Sequence, residues 1–211
     1  MSDTAKNFGN LNRLPISALA EKQQSQGKLN HCAYHSIATV MNIHFGWHID
    51  GAELAQEFDS RWWRTPFRYR MWPNWATAPF QAQQVIRKIA RDLKFPLRTQ
   101  LKKFSDTYLI NTLHYSPNHY PVVTFLWLKG PLQLQSHKGA RAFPIKSLPG
   151  FGAHTMLLAA YNPENRDDNG VLHPWGFVNS WATPGITDLF WMSEETWQKT
   201  FKLRTLMIIL N

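Results

Sequence analysis

Cysteine is nearly absent from this sequence, since Cys32 is the single thiol among 211 residues. No intramolecular disulfide can therefore form, which suits a reducing compartment. No stretch approaches the roughly 20 consecutive apolar residues that a membrane-spanning helix needs. Residues 1–13 contain no apolar segment of the kind found in a secretory signal. We therefore expect a protein that is cytoplasmic as synthesised, and any export would need a route independent of a signal peptide.

Acidic residues are also scarce, because 14 Asp and Glu oppose 23 Lys and Arg and leave a net charge of +9. Such a balance favours anionic partners: nucleic acid, acidic peptides or an anionic membrane surface. No recognisable nucleic-acid-binding motif accompanies the charge. The hydrophobic fraction of 44% and the charged fraction of 18% exclude a disordered chain and allow a compact core. The length fits one compact domain or two small lobes that share a cleft.

Helical patterns precede strand patterns along the chain. Residues 1–30 are polar and predict an irregular arm, with Asn30 positioned to cap the first helix. Apolar residues at helical spacing predict helices over residues 32–42, 51–58, 80–93 and 105–113. Apolar runs predict strands over residues 122–128, 155–161, 175–179, 187–192 and 206–210, with a short helix over 193–201. This order predicts an α+β protein with a helical lobe over residues 31–115 and a sheet lobe over residues 116–211.

Cys32 lies where the first predicted helix begins. Backbone amides at a helix start are unpaired, and the helix dipole places partial positive charge there. Both effects favour the thiolate, which is the form that attacks carbonyl carbons. A lone cysteine on an apolar helix is more often a core residue, so the thiol alone does not establish a site. His31 and His35 flank it, but the paired spacing of zinc ligands is missing, so no metal site is predicted.

Three other residues carry the chemistry that a nucleophilic Cys32 would need. Gln26 precedes it by six residues, and its side-chain amide can donate to the oxygen of a tetrahedral intermediate, together with the backbone amide of Cys32. His154 stands at the start of an apolar strand, which suits a general base held rigidly at a cleft. Asn179 ends the strand over residues 175–179, and its amide oxygen can accept the second imidazole proton. Trp181 follows and can shield that hydrogen bond from water.

These residues resemble the motifs of the papain-like cysteine peptidases. The segments are Gln-Gly-Lys-Leu-Asn-His-Cys-Ala-Tyr-His-Ser (26–36), His-Thr-Met-Leu-Leu-Ala-Ala-Tyr (154–161) and Phe-Val-Asn-Ser-Trp (177–181). In that family Gln-Gly also precedes the nucleophile by six residues. The resemblance implies a single catalytic domain over residues 1–211, with a helical lobe carrying the cysteine. It also implies an antiparallel, half-barrel sheet lobe carrying the histidine and asparagine, and a cleft between the lobes.

The sequence departs from the family pattern around the nucleophile. Asn30-His31 stands where the family usually has Gly-Ser, Ala33 replaces its Trp, and Ala182 replaces the Gly after Asn-Ser-Trp. Residues 43–150 match no family motif. Residues 121–127 and 189–201 also resemble bacteriocin-processing peptidases and their bacterial relatives. These departures leave the four-residue pattern intact, and they leave open which substrate is bound and which bond is broken.

A basic aromatic segment, Arg61–Trp75, is the other unusual feature. Between Ser60 and Ser105 there are eleven Lys or Arg and one acid. Interleaved Arg and aromatic side chains can stack bases, lie at a membrane interface, or line a cleft that grips an acidic or aromatic substrate. A packed loop with solvated arginines is an alternative with as much weight as these three functions together. The residues predicted to contact substrate are Trp62, Trp63, His31 and Trp181.

Three hypotheses for function follow. The first is a cofactor-independent thiol hydrolase that cleaves a peptide or isopeptide bond in a protein or peptide substrate. The second keeps the same site in a deamidase, transglutaminase-type enzyme or acyltransferase of the kind found among bacterial effectors. The third is a non-catalytic binding module that uses the basic aromatic face.

Overall fold

The computed structural model describes residues 9–27, 30–60, 77–127, 132–136, 139–143, 152–181 and 188–211. The helices in these ranges are α1 (Ile16–Ala20), α2 (Cys32–Phe45), α3 (Gly51–Ser60), α4 (Pro79–Asp92), α5 (Asp106–Tyr115) and α6 (Glu194–Lys199). The strands are β1 (Gly9–Asn10), β2 (Leu97–Lys102), β3 (His119–Trp127), β4 (Leu132–Ser136), β5 (Gly139–Phe143), β6 (Gly152–Tyr161), β7 (Trp175–Val178), β8 (Phe190–Met192), β9 (Phe201–Lys202) and β10 (Thr205–Leu210).

The strands form one antiparallel sheet in the order β2-β10-β3-β6-β7-β8-β4-β5, with β1 paired to β6 and β9 paired to β3. The predicted combination of helices and an antiparallel sheet is confirmed. Strand β2 lies between two predicted helices, inside the range 31–115 that was expected to form the helical lobe, and it extends the sheet by pairing with β10. Its side chains alternate between half-buried and exposed, so it has no continuous apolar run that could reveal it.

Helix α2 is the buried helix that positions Cys32. Every residue from Cys32 to Ile43 is buried, and the helix packs against α3, α4 and β6. Gly46 ends it with a φ of 67°, the left-handed conformation in which glycine is favoured. The predicted cap, Asn30, is wrong, because His31 occupies the N-cap position and makes no capping hydrogen bond through its side chain. The start of α2 therefore depends on packing rather than on a side-chain cap.

The arm before α2 is more ordered than its polar composition predicts. Within residues 9–27 it contains β1, a turn of 3₁₀ helix over Leu11–Arg13, and α1. Leu11 and Leu19 are 1% and 0% exposed and belong to the main core. Two buried leucines in a mostly polar stretch are enough to fix the arm against the domain.

The central strands carry the second part of the core. Residues Met156–Ala160 of β6 and the whole of β10 are buried, as expected for strands covered on both faces. Aromatic rings pack within this core, and the indoles of Trp175 and Trp197 stack with centroids 4.1 Å apart. Gly152 begins β6 against Trp127, where an added Cβ would lie 2.3 Å from the indole. Close packing therefore fixes the end of β6 from which His154 projects.

Two helix starts follow the expected side-chain chemistry. The hydroxyl of Ser105 accepts a hydrogen bond from the Tyr108 amide at the start of α5, and that of Ser193 accepts one from Thr196 at the start of α6. Within the described ranges, none of the helices combines the length and apolar character needed to cross a membrane.

Candidate active site

Cys32 is the first residue of α2 and is 6% exposed. The first turn of the helix contains no acidic side chain. The partial positive charge of the helix start is therefore not offset by a carboxylate on the same turn. This local environment matches the one expected from the sequence for a nucleophilic thiol.

Ser36 links the cysteine helix to the histidine strand. Its hydroxyl lies 2.9 Å from the carbonyl oxygen of Cys32 and 3.3 Å from that of Thr155, so it can donate to either. Thr155 is the neighbour of His154 in β6, and it is fixed in turn by a 3.0 Å contact between its hydroxyl and that of Thr124. One buried hydroxyl therefore ties the first turn of α2 to the residue beside His154.

His154 is 1% exposed, and its ring is held on two sides. Its Nε2 lies 2.7 Å from the amide oxygen of Asn179. The indole of Trp181 stacks on the imidazole with centroids 3.6 Å apart and an interplanar angle of 10°. The same Asn179 oxygen accepts a hydrogen bond from the Trp181 amide at 3.1 Å. Asparagine therefore accepts the Nε2 proton and fixes the tautomer in which Nδ1 carries the lone pair.

The other ring nitrogen of His154, Nδ1, is buried and has no hydrogen-bond partner among the described residues. Burial lowers the pKa of His154 to about 4, and the hydrogen bond with Asn179 opposes that shift. A buried imidazolium without an anion beside it is unfavourable. The ring is therefore a neutral base at neutral pH, and a thiolate at Cys32 would be the anion that stabilises its protonated form.

Gln26 is buried and is attached to the asparagine segment. Its amide oxygen accepts a hydrogen bond from the Ser180 hydroxyl at 2.5 Å, and its backbone amide donates to the Ser180 carbonyl at 2.7 Å. A bridge between Ser25 and Trp181 extends the pairing by one residue. Because Ser180 engages the oxygen of the Gln26 side-chain amide, the other end of that amide is its NH₂ group, which is a hydrogen-bond donor. The sequence identified Gln26 but gave no reason to connect it with Ser180.

Gln24 and His35 form a second buried connection that the sequence did not predict. The Gln24 side-chain oxygen lies 2.9 Å from Nδ1 of His35 and accepts from the Gly51 amide at 2.8 Å. Its NH₂ group donates to the carbonyl of Ile49 at 2.6 Å. Gly51 leaves no room for a larger residue, since an added Cβ would lie 2.3 Å from the His35 ring. The arm that carries Gln26 is therefore fixed to α2 one turn beyond Cys32.

The remaining predicted residues have different outcomes. His31 is buried, and its ring lies 6.5 Å from that of His35 in a stacked arrangement. Within the described ranges, no three His, Cys, Asp or Glu side chains are arranged to hold a metal ion. Trp62 and Trp63, together with the rest of the segment from 61 to 75, lie outside the described residues. Their predicted contacts with substrate stay predictions.

We expect Gln26→Ala to lower kcat by about a hundred-fold with little change in KM, because it would remove one donor to the developing oxyanion. Ser180→Ala should give a smaller loss in kcat, since it releases the amide that Ser180 orients. Steady-state kinetics on a peptide substrate measure both changes. Gln83→Ala, on α4, is the matched control and should behave as the unchanged protein. Equal kcat values in Gln26→Ala and the unchanged protein would contradict the oxyanion role.

We expect the free energy of unfolding to fall as the pH drops from about 6.5 towards 4. Burial lowers the pKa of both His35 and His154 to about 4, with Asp50 opposing the shift for His35. In this range the unfolded chain binds protons that the folded chain excludes, so acid favours unfolding. Each ring corresponds to roughly 3 kcal/mol over the whole interval. The measurement is the free energy of unfolding, obtained by urea denaturation at a series of pH values. It is made on the Cys32→Ala variant, in which no thiolate can counter the effect of burial on the pKa of His154.

In the Cys32→Ala protein, His35→Gln should remove one of the two histidine contributions and make the free energy of unfolding less dependent on pH. His48→Gln changes an exposed histidine and should leave the pH dependence as it is. A slope that is identical in the two variants would contradict the assignment to His35.

Comparisons with known proteins give structural matches but no sequence match. No family profile matches the sequence, and no curated protein matches it. Among solved structures, the chain is similar to xylellain, a cysteine protease from Xylella fastidiosa, with a TM-score of 0.58 and 13% sequence identity. The match covers 100% of this chain and 94% of that one. At this identity the likeness shows that the two chains share a fold.

Proposed function

We propose that this chain is a papain-like cysteine peptidase in which Cys32 is the nucleophile, His154 the general base and acid, and Asn179 the residue that orients the imidazole. The observation that carries the proposal is the buried 2.7 Å contact between His154 and Asn179, with the opposite ring nitrogen left without a partner among the described residues. A histidine bonded on one side only is the arrangement that a proton shuttle requires.

The first half of the reaction forms an acyl-enzyme. Cys32 transfers its proton to Nδ1 of His154, and its sulfur attacks the carbonyl carbon of the scissile bond. The carbonyl oxygen becomes an oxyanion that accepts hydrogen bonds from the Gln26 side-chain amide and the Cys32 backbone amide. Collapse of this intermediate breaks the C–N bond, and the imidazolium gives its proton to the departing amine. A thioester on Cys32 remains.

The second half releases the product acid. His154 takes a proton from water as the water oxygen attacks the thioester carbon. The same two donors stabilise the second oxyanion. Collapse breaks the C–S bond, releases the carboxylic acid and returns the proton to the thiol. No cofactor enters either step.

Trp181 supports this cycle by covering the imidazole. Its indole stacks on the imidazole with the ring centres 3.6 Å apart and is itself half-buried, so part of the side chain can contact a substrate. Stacking limits rotation of the ring and keeps water from the bond between His154 and Asn179. An indole face also stabilises the imidazolium that forms when the thiol is deprotonated.

The proposal includes two lobes with a cleft between them. The lobe that carries Cys32 would be built on α2, α3 and α4, and the lobe that carries His154 and Asn179 on the sheet, which also includes β2 from the range 31–115. The sites of substrate contact would be Trp181 and His31, with Trp62 and Trp63 on the rim. An extended protein or peptide would lie across the cleft with its scissile carbonyl between Cys32 and Gln26.

The experiment is to incubate the protein with an unfolded protein substrate and follow two products. Mass spectrometry detects new amino termini, and a coupled assay detects ammonia. We expect new termini that depend on Cys32 and no stoichiometric ammonia. Ammonia release without chain cleavage would replace the peptidase with a deamidase that uses the same site. Neither product over a broad set of peptides would contradict a hydrolytic function.

A further inference from the structure

A pocket of about 310 Å³ lies where the end of α6, strand β9, the start of β10 and the loop after β2 meet. Three lysines from two segments of the chain line it, together with hydroxyl and amide side chains and no acidic residue. The lining residues are Lys103, Gln198, Lys199, Thr200, Lys202, Leu203 and Thr205. We refer to this site as the lysine pocket. It shares no residue with the candidate active site or with the basic aromatic segment Arg61–Trp75.

Lys202 is the fixed charge of the lysine pocket. Its ammonium donates to the carbonyl of Trp197 at 2.5 Å and lies 4.3 Å above the centre of the Trp197 indole. The side chain is half-buried, and no described carboxylate forms an ion pair with it. Burial lowers the pKa of Lys202, while the more distant carboxylates of Asp106 and Glu194 raise it. A partly desolvated cation without a direct counter-ion is a site where an incoming anion gains most.

The other donors complete a ring of hydrogen-bonding groups. Lys103 and Lys199 are exposed, and Lys199 forms an ion pair with Glu195 at the surface, where such a pair contributes little and can rearrange around a ligand. Thr200 and Thr205 also line the pocket and are 7% and 4% exposed. Gln198 donates to Glu194 at 2.7 Å and to Asp106 at 3.3 Å.

We propose that the lysine pocket binds a compact tetrahedral oxyanion, namely a phosphate group. Three ammonium groups and two hydroxyls can approach its oxygens from different directions, which a planar or monodentate anion would not match as well. The bound anion would join Lys103 to the stretch 198–205, which is distant from it in sequence. The site is independent of the peptidase proposal, since no catalytic residue takes part.

The register of the sheet connects the lysine pocket to the candidate active site. Lys202 pairs with Phe125 of β3, and Phe125 pairs on its other side with His154 of β6. The pocket is therefore two strands away from the proposed catalytic base. An anion that holds β9 in place would stabilise the same part of the sheet that positions His154.

The test is titration with inorganic phosphate, using sodium chloride at equal ionic strength as the reference. Amide resonances in ¹H–¹⁵N spectra give the location and the dissociation constant. We expect saturable shifts that are largest over residues 199–205. The double variant with Lys103→Gln and Lys199→Gln should bind at least about tenfold more weakly, because it removes two of three charge-assisted bonds.

Lys88→Gln is the matched control. Lys88 forms an ion pair with Asp92, four residues later, and Lys199 forms one with Glu195, four residues earlier. Lys88 lies on α4 and does not line the pocket. This variant should bind phosphate as the unchanged protein does. Equal affinity in the double variant, or shifts spread over the whole surface in phosphate and chloride alike, would overturn the proposal and leave a general salt effect only.

A parallel titration with glycerol phosphate identifies the source of the group. Tighter binding of the monoester than of the free ion would assign the pocket to phosphate carried on a larger molecule. Tighter binding of the free ion would assign it to inorganic phosphate. Both results support the site, and absence of localised binding for either probe contradicts it.

Discussion

Cys32→Ala is expected to lower kcat/KM for peptide cleavage by at least about a thousand-fold, because no other thiol in the chain can form the thioester. The oxyanion donors and the substrate contacts remain, so residual activity comes from positioning alone. Steady-state kinetics with a fluorogenic peptide measure the loss. The side chain is small and buried, and alanine fits its place at the start of α2 without a clash.

Folding of the Cys32→Ala variant is checked by circular dichroism and by its urea midpoint, which should stay close to that of the unchanged protein. Full activity in a correctly folded Cys32→Ala protein would eliminate every mechanism in which this thiol is the nucleophile. A loss of activity together with a loss of fold is resolved with Cys32→Ser, which keeps the volume but supplies a far weaker nucleophile.

His154→Gln is expected to cause a second loss of about a thousand-fold or more in kcat, since the thiol would lose its base and the leaving amine its acid. Glutamine keeps a polar group in the buried position beside Asn179. The loss should not multiply with that of Cys32→Ala, because in the proposed mechanism the two residues act in one proton transfer. Asn179→Ala should be milder, since it removes the orientation of the ring while leaving the base in place.

The control for His154→Gln is His173→Gln, which changes a half-buried histidine bonded to Asp167 in the connection between β6 and β7. This variant should keep its kcat. The double variant Cys32→Ala with His154→Gln tests whether the two residues share one proton transfer or act independently. If its rate were the product of the two single losses, the residues would act independently and the shared proton transfer would be wrong.

Local patterns predicted the parts of the fold that depend on neighbouring residues. Gly46 marks the end of α2, and Ser105 and Ser193 begin their helices, because turn geometry and capping depend on a few adjacent residues. The apolar run that ends at Tyr161 marks β6 for the same reason, since a strand covered on both faces needs no polar alternation. The boundaries differed by a few residues, as at the start of β6.

Elements stabilised by distant partners were not predicted. Strand β2 is half-exposed, and its strand character comes from pairing with β10 more than a hundred residues later. The hairpin of β4 and β5 was also not predicted, because its strands are only five residues long and β4 alternates Leu with Gln instead of forming an apolar run. Asn30 was wrong as the helix cap because the side chains around α2, rather than a local hydrogen bond, decide where the helix starts.

In the candidate site, too, the main residues were predicted from the sequence and the contacts that support them were not. The sequence identified Gln26, Cys32, His154 and Asn179 through their order and their resemblance to a known family. It did not reveal the supporting contacts of Ser180 with Gln26 or of Gln24 with His35, because each joins residues whose proximity depends on the fold. The lysine pocket was not predicted either, because the fold brings Lys103 together with Lys199 and Lys202 of a distant segment.

The most direct measurement of the central claim is the intact mass of the folded protein after exposure to a broad epoxide inhibitor of thiol peptidases. In the proposed site, the base His154 and the helix start at Cys32 should make this one thiol react faster than a free thiol in solution. We predict a single adduct on Cys32, formed more slowly in His154→Gln. Labelling of the folded protein at or below the rate of free cysteine, with full reaction only after unfolding, would contradict a nucleophile at this site.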